Sequence, residues 1–242
     1  MPKLDGAAIL SIWERGAAQS LGERALTILA LNATAPEDAR AMSVGTRDAE
    51  LLRVRRLLFG DRIEAMTACE ACGEELDVLL SVEELLRGAP APVVDEVFAD
   101  ANGRLVRFRI PGAGDLAALR GVDDVEFGLA LLADRCLSST DGEGAPVSLE
   151  DLSPEIVAAL EDQLAAADPG AEMRLVSTCP ACGAQNDALF DVPSYLWKEM
   201  HRLANDVLWD VHTLARAYGW DEQTILQLSP LRRRFYLDAL ER

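Results

Sequence analysis

Apolar residues recur every three to four positions through most of this chain. In a few short runs they alternate with polar ones, so the pattern predicts helices punctuated by small β-hairpins. Ile9, Leu10, Ile12 and Trp13 have helical spacing, and residues 24–31 continue it. Pro36-Glu37-Asp38 opens a short helix that Val44-Gly45 is expected to break. Residues 46–59 read as a longer amphipathic helix with Leu51, Leu52, Leu58 and Phe59 inward, closed by Gly60.

The period then shortens. Residues 62–68 and 76–80 read as two strands around a turn, followed by a short helix at 82–87 and a Pro/Gly linker at 88–92. Residues 93–98 and 104–110 alternate on either side of Asn102-Gly103, a hairpin signal. Helices are expected at 115–120 and 124–137, and a polar loop at 139–146. Ser153-Pro154-Glu155 starts another helix, which Asp168-Pro169-Gly170 stops. Residues 174–177 and 188–192 form a second strand–turn–strand unit, the one internal repeat the pattern reveals. A long helix over 194–218 carries Leu196, Met200, Leu203, Val207, Val211, Leu214 and Tyr218 in steps of three or four, and Gly219 caps it. Short helices begin at Asp221 and at Ser229-Pro230, the last ending near Leu240.

Both strand–turn–strand units turn on the same motif, Cys69-x-x-Cys72-Gly73 and Cys179-x-x-Cys182-Gly183. Two-residue spacing lets both sulfurs of a turn point to one side, and glycine permits the left-handed backbone that follows. Each turn supplies two ligands, and a tetrahedral zinc wants four. One structural Zn2+ shared by Cys69, Cys72, Cys179 and Cys182 is therefore expected. Two unrelated turns would be the plainer reading. A redox dithiol is a rival, but such pairs sit where a strand meets a helix, whereas a strand follows each pair here. Cys179 lies 107 positions after Cys72, so the module is split by an insertion over 82–171.

The expected architecture is α+β: a helical segment over 1–60, a two-knuckle zinc-ribbon-like module from 61–81 and 172–193, an inserted α/β subdomain over 82–171, and a C-terminal helical tail over 194–242.

Composition narrows the possible functions. The 242 residues carry 23 basic and 41 acidic side chains, a formal charge of -18 that repels phosphate backbones and argues against nucleic acid as a partner. Half of the residues are hydrophobic, enough for a sizeable core. No stretch reads as a secretory leader or a membrane span, so a cytoplasmic protein with reduced thiols is expected, free or built into a larger particle. Cys136, on an apolar helix, reads as a small buried hydrophobe. His201 and His212 share a face of one helix but stand about 16 Å apart along it, too far to chelate one metal. No nucleophile elbow, phosphate loop, dinucleotide fingerprint or zinc-protease motif is present, so neither catalysis nor a small-molecule substrate is expected.

At the C-terminus Arg232, Arg233 and Arg234 are flanked by Leu231, Phe235, Tyr236 and Leu240. On a helix these residues give an apolar face with a basic flank, suited to docking on an acidic partner. Ion pairs with the protein's own carboxylates are an equal reading.

Several segments together resemble one family. They are Trp13-Glu14-Arg15-Gly16 with Arg24-Ala25-Leu26; Val44-Gly45-x-Arg47-Asp48-x-x-Leu51-Leu52; Phe59-Gly60; and Phe108-Arg109-Ile110-Pro111 with Asp115-Leu116. In the tail they are His212-x-Leu214-Ala215-x-x-Tyr218-Gly219-Trp220, Ile225-x-x-Leu228 and Arg232-Arg233-Arg234-x-Tyr236. The set is similar to baseplate proteins of T-even-type contractile phages and of phage-tail-like injection systems in bacteria. That resemblance implies a structural or assembly role at the tail baseplate or hub, with other baseplate or hub proteins as partners and no catalytic residues. By fold analogy alone, a zinc-ribbon adaptor in transcription or another nucleic-acid complex is the alternative. It would need a basic stripe where Glu70, Glu74, Glu75 and Asp77 stand.

Overall fold

In the computed structural model, described for residues 5–32, 34–90, 92, 94–101, 104–139 and 147–241, the first two helices each begin on a side-chain cap. Asp5 accepts the Ala8 N–H at the start of α1 (Gly6–Ala17), and Ser20 and Glu23 close a capping box on α2 (Leu21–Leu29). Proline opens α3 (Pro36–Ala41).

Val44-Gly45 does not break the next helix but begins it. Ser43 accepts the Thr46 N–H at the N-terminus of α4 (Val44–Phe59). Gly45 is needed there for close approach: its N–H donates to Asp168 Oδ2 at 2.9 Å, and a Cβ would meet Asp168 Oδ1 at 2.3 Å and the Ala171 nitrogen at 2.8 Å. α4 turns Leu51, Leu52 and Val54 fully inward, while Leu58 and Phe59 only flank the core.

Next come the antiparallel pair β1 (Arg62–Ala68) and β2 (Glu75–Ser81), then α5 (Val82–Gly88). The inserted region contributes β3 (Glu96–Ala101), β4 (Arg104–Arg109), α6 (Ala113–Ala118) and α7 (Val125–Cys136). A strand the sequence pattern did not suggest, β5 (Leu137–Ser139), follows directly on α7 and pairs with β4, giving the order β3-β4-β5. The expected turn at Asn102-Gly103, and residues 140–146 of the expected loop, lie outside the described residues. α8 (Pro154–Ala167) packs over β3. Val97, Val106, Phe108, Cys136, Leu152 and Leu160 give this region a core of its own. Asp115 ties its helices to its sheet, accepting from Arg109 Nη1 at 2.8 Å, Arg135 Nε at 3.0 Å and the Gly112 N–H at 2.8 Å.

The chain returns through the antiparallel pair β6 (Arg174–Thr178) and β7 (Gln185–Leu189). The second of these strands ends earlier than its apolar pattern suggests. Asp191 accepts the Ser194 N–H and so recruits Val192 and Pro193 into α9 (Val192–Tyr218). Leu196, Met200, Val207 and Leu214 of that helix are buried, Leu203 and Val211 half-buried, and Gly219 ends it in a left-handed conformation with φ 69°. α10 (Glu222–Gln227) and α11 (Pro230–Leu240) fold back on it.

The main core is thus built from both ends of the chain, α1, α2, α4 and α9, with Ile63, Val82, Met173 and Phe190 from the bases of the two hairpins. Full burial of each such side chain is worth about 1.5–3 kcal/mol. A buried ion pair fixes the geometry further. Arg55 grips Glu199 with two hydrogen bonds, at 3.0 and 2.8 Å, and donates to the carbonyls of Gly60 at 2.8 Å and Arg62 at 2.7 Å. One side chain therefore locks α4 to α9 and to the root of β1. The fold is α+β, with three small antiparallel sheets among the helices of the described residues.

Candidate metal centre

At the tips of the two two-stranded hairpins the turns are near-copies. Gly73 and Gly183 adopt φ of 76° and 75°. In the first turn the Cys69 N–H donates to the Glu74 carbonyl at 2.8 Å, and the Gly73 N–H to the Cys69 carbonyl at 2.8 Å. In the second, Cys179 and Gly183 make the equivalent bonds, to Ala184 and Cys179, at 2.8 and 2.9 Å. In each turn the first cysteine is buried and the second exposed.

The two turns face each other, so the four sequence-predicted cysteines come together. All four sulfurs lie within 4.8 Å of one another, with Cys69 Sγ 3.7 Å from Cys182 Sγ and Cys72 Sγ 3.7 Å from Cys179 Sγ. All are free thiols, and the separations are far beyond a disulfide bond. A tetrahedron of sulfurs around a metal at ~2.3 Å has edges of about 3.8 Å, so the Cys69–Cys182 and Cys72–Cys179 separations match such an ion. The Cys69 thiol is drawn down to about 6: burial opposes this, but the N–H groups of Cys72 and Ala71 and the neighbouring thiols outweigh it. Cys72 keeps its proton up to about 12; the Glu74 N–H works the other way, but the sulfurs of Cys182, Cys69 and Cys179 together with burial outweigh it. The cluster can hold a metal ion.

Asn186 was not singled out in the sequence, yet it joins the turns. Its Oδ1 accepts the Glu70 N–H at 3.1 Å, while its Nδ2 donates to the Ala184 carbonyl at 3.4 Å. The clue was available by overlaying the two motifs. Asn186 is seven residues after Cys179 as Leu76 is seven after Cys69, and only the second turn has a polar group there. Leu76 packs instead with Cys69 and Cys179 in a small apolar cluster beneath the sulfurs.

The other singled-out residues are placed elsewhere. Cys136 is buried, and that burial pushes its thiol up to about 11. His201 accepts the Trp13 indole N–H at 2.9 Å, and His212 meets the edge of Trp209. The tail helix α11 divides in two. Arg233 is buried, with its nearest carboxylate, Asp210, at 3.9 Å, and so is not part of an outer basic flank. Tyr236 is held by Trp220, with ring centroids 4.9 Å apart. Arg234 pairs with Asp238 of its own helix at 2.9 Å. Arg232 is exposed, and one turn apart Leu231 and Phe235 stand 85% and 67% exposed. No helix among the described residues is long and apolar enough to cross a membrane.

No family model matches this chain, and neither does any curated protein or solved structure.

Proposed function

We propose that the four cysteines hold one structural Zn2+ and that the chain is a non-enzymatic structural or assembly component of the baseplate of a contractile phage tail or phage-tail-like injection system. The observation that carries the metal part is the convergence of two thiols from each of two distant hairpins at the separation a tetrahedral ion requires. Four thiolates leave no position for a reacting water, so the ion would clamp the zinc-ribbon-like module rather than activate a substrate. Iron takes the same ligand set, and the two separate by colour: an iron–thiolate centre absorbs in the visible and a zinc centre does not.

The scaffold part is supported by the resemblance quoted from the sequence and by what those residues do. Gly45, Arg109, Asp115 and Arg233 are committed to internal contacts. Leu231 and Phe235, beside them on the tail, present apolar surface outward. Glu70, Glu74 and Glu75 at the first knuckle weigh against the nucleic-acid adaptor reading.

The test is co-purification of tagged protein with sheath, tube or wedge proteins from a cell making the particle. Capture that is lost in L231D/F235D, with an unchanged melting temperature, supports the reading. Failure to capture any of them with the unsubstituted protein ends it.

A further inference from the structure

The two hairpins meet at their tips, and among the described residues neither gains a third strand. Between their stems lies a groove of about 960 Å3, floored by Tyr195 and Lys198 of α9 and walled by Met66 and Leu79 on one side and Leu175 and Leu189 on the other. Met66, Leu79 and Leu189 are 70%, 63% and 60% exposed, an unusual cost for a soluble surface.

The free edge of β1 opens onto this groove. The Cys69–Glu74 bond at the turn and the Val82-to-Asp61 bond at the base fix the ladder, so odd-numbered residues of β1 bond to β2 and even-numbered ones point their N–H and C=O away. Two of these outward carbonyls are already taken, that of Arg62 by Arg55 Nη1 at 2.7 Å and that of Glu64 by the Tyr195 hydroxyl at 2.9 Å, which leaves the end of β1 nearer the turn. The backbone groups of Met66 face the same way. Unpaired edges of this kind accept an extended segment as an added strand.

The charges in the groove say which segment. Glu64 pairs with Arg62 at 3.1 Å and Asp191 is engaged in capping α9, which leaves Asp77 on β2 as the one lining carboxylate without an ion pair among the described residues, set against Lys198 and Arg202. Lys198 and, one turn on, Arg202 are exposed and have no ion pair among the described residues, although the chain carries a surplus of carboxylates. We infer that the groove binds an extended acidic segment of a protein partner, added as a strand to β1, with alternate apolar side chains on Met66 and Leu79 and carboxylates on Lys198 and Arg202. The inference does not depend on which metal closes the tips or on which assembly the protein serves. A second copy of the chain is the rival occupant, and it would be read out as concentration-dependent dimers.

The probe is a short acetylated and amidated peptide in which valine and aspartate alternate, titrated against metal-loaded protein at low salt. We expect saturable binding, weakened roughly tenfold both by replacing aspartate with lysine in the peptide and by K198E/R202E in the protein. Amide exchange of the unsubstituted protein, which needs no variant to fold, should slow at Met66 when the peptide is present. Absence of saturable binding, binding indifferent to both charge reversals, or binding with no protection at Met66 would each overturn the proposal. So would concentration-dependent dimers that the peptide does not dissociate.

Discussion

Cys69 and Cys182 lie 113 positions apart in the chain, yet their sulfurs are 3.7 Å apart. Among the described residues no backbone ladder joins the two hairpins that carry them, so this meeting is held by the sulfurs, by Asn186 and by the core beneath. An ion at that point would close a loop longer than the whole inserted region, and its binding would add directly to folding stability.

Metal removal should therefore destabilise the whole molecule rather than only the tips. Free metal at a thousand times its dissociation constant contributes about 4 kcal/mol, which for a chain of this length is roughly 8–16 °C in Tm. Cys72→Ser or Cys182→Ser, and chelation of the unsubstituted protein, should give losses of this order by calorimetry. Cys136→Ser, outside the cluster, should leave metal content unchanged.

Breaking the buried pair at the root of β1 should cost more than any surface change. Arg55→Ala leaves the Glu199 carboxylate buried without its partner, a loss of about 3–5 kcal/mol in urea denaturation. R55M/E199L, which removes both charges, should recover much of that. A double variant no better than R55A would show that the carbonyl contacts to Gly60 and Arg62 dominate.

Gly45→Ala should destabilise by about 1–3 kcal/mol, because the added methyl meets the backbone of Gly170 and Ala171 as well as the Asp168 carboxylate, which the Gly45 N–H holds in place. Gly88→Ala, where a Cβ meets nothing within 4 Å, is the control and should be neutral or slightly stabilising.

Acid should loosen the inserted region through Asp115. Burial works against ionisation of this carboxyl, but Arg109, the Gly112 N–H and Arg135 outweigh it and hold it below its ordinary 3.8. A carboxylate lowered on folding contributes stability in full above the unfolded-chain value and loses it as pH falls through the folded value. The stability gap between unsubstituted protein and Asp115→Asn should thus be widest near neutral pH and shrink from about pH 4 downward. Thiolate protonation affects both proteins alike and cancels in the difference.

The sequence made the metal cluster legible because Cys-x-x-Cys-Gly is a local motif whose geometry travels with it. The helices were legible because their apolar residues repeat every three to four positions and because Gly60, Ser153-Pro154 and Gly219 are local punctuation; the caps at Ser43 and Asp191 went unread, which is why the pattern puts a break at Val44-Gly45 and extends a strand to 192. The residues that set the relation between distant parts were hidden. Arg55 and Glu199 look like ordinary helix-surface charges until α4 and α9 are laid together. Arg233 read as part of a basic patch because its neighbours are exposed. β5 is too short, and too close behind α7, to show a period of two. Pairings across long sequence distances carry no local signature, and here they include the buried ion pair and the Asn186 bridge.

The proposed metal centre joins two hairpins from opposite sides of an insertion. Its most direct measurement is elemental analysis of the purified full chain together with titration of its reactive thiols. About one zinc per chain is expected, with no visible thiolate–iron absorption and four cysteines that become reactive only when the metal is withdrawn. Metal near zero in every preparation, with Cys72 and Cys182 reacting at once, would contradict it.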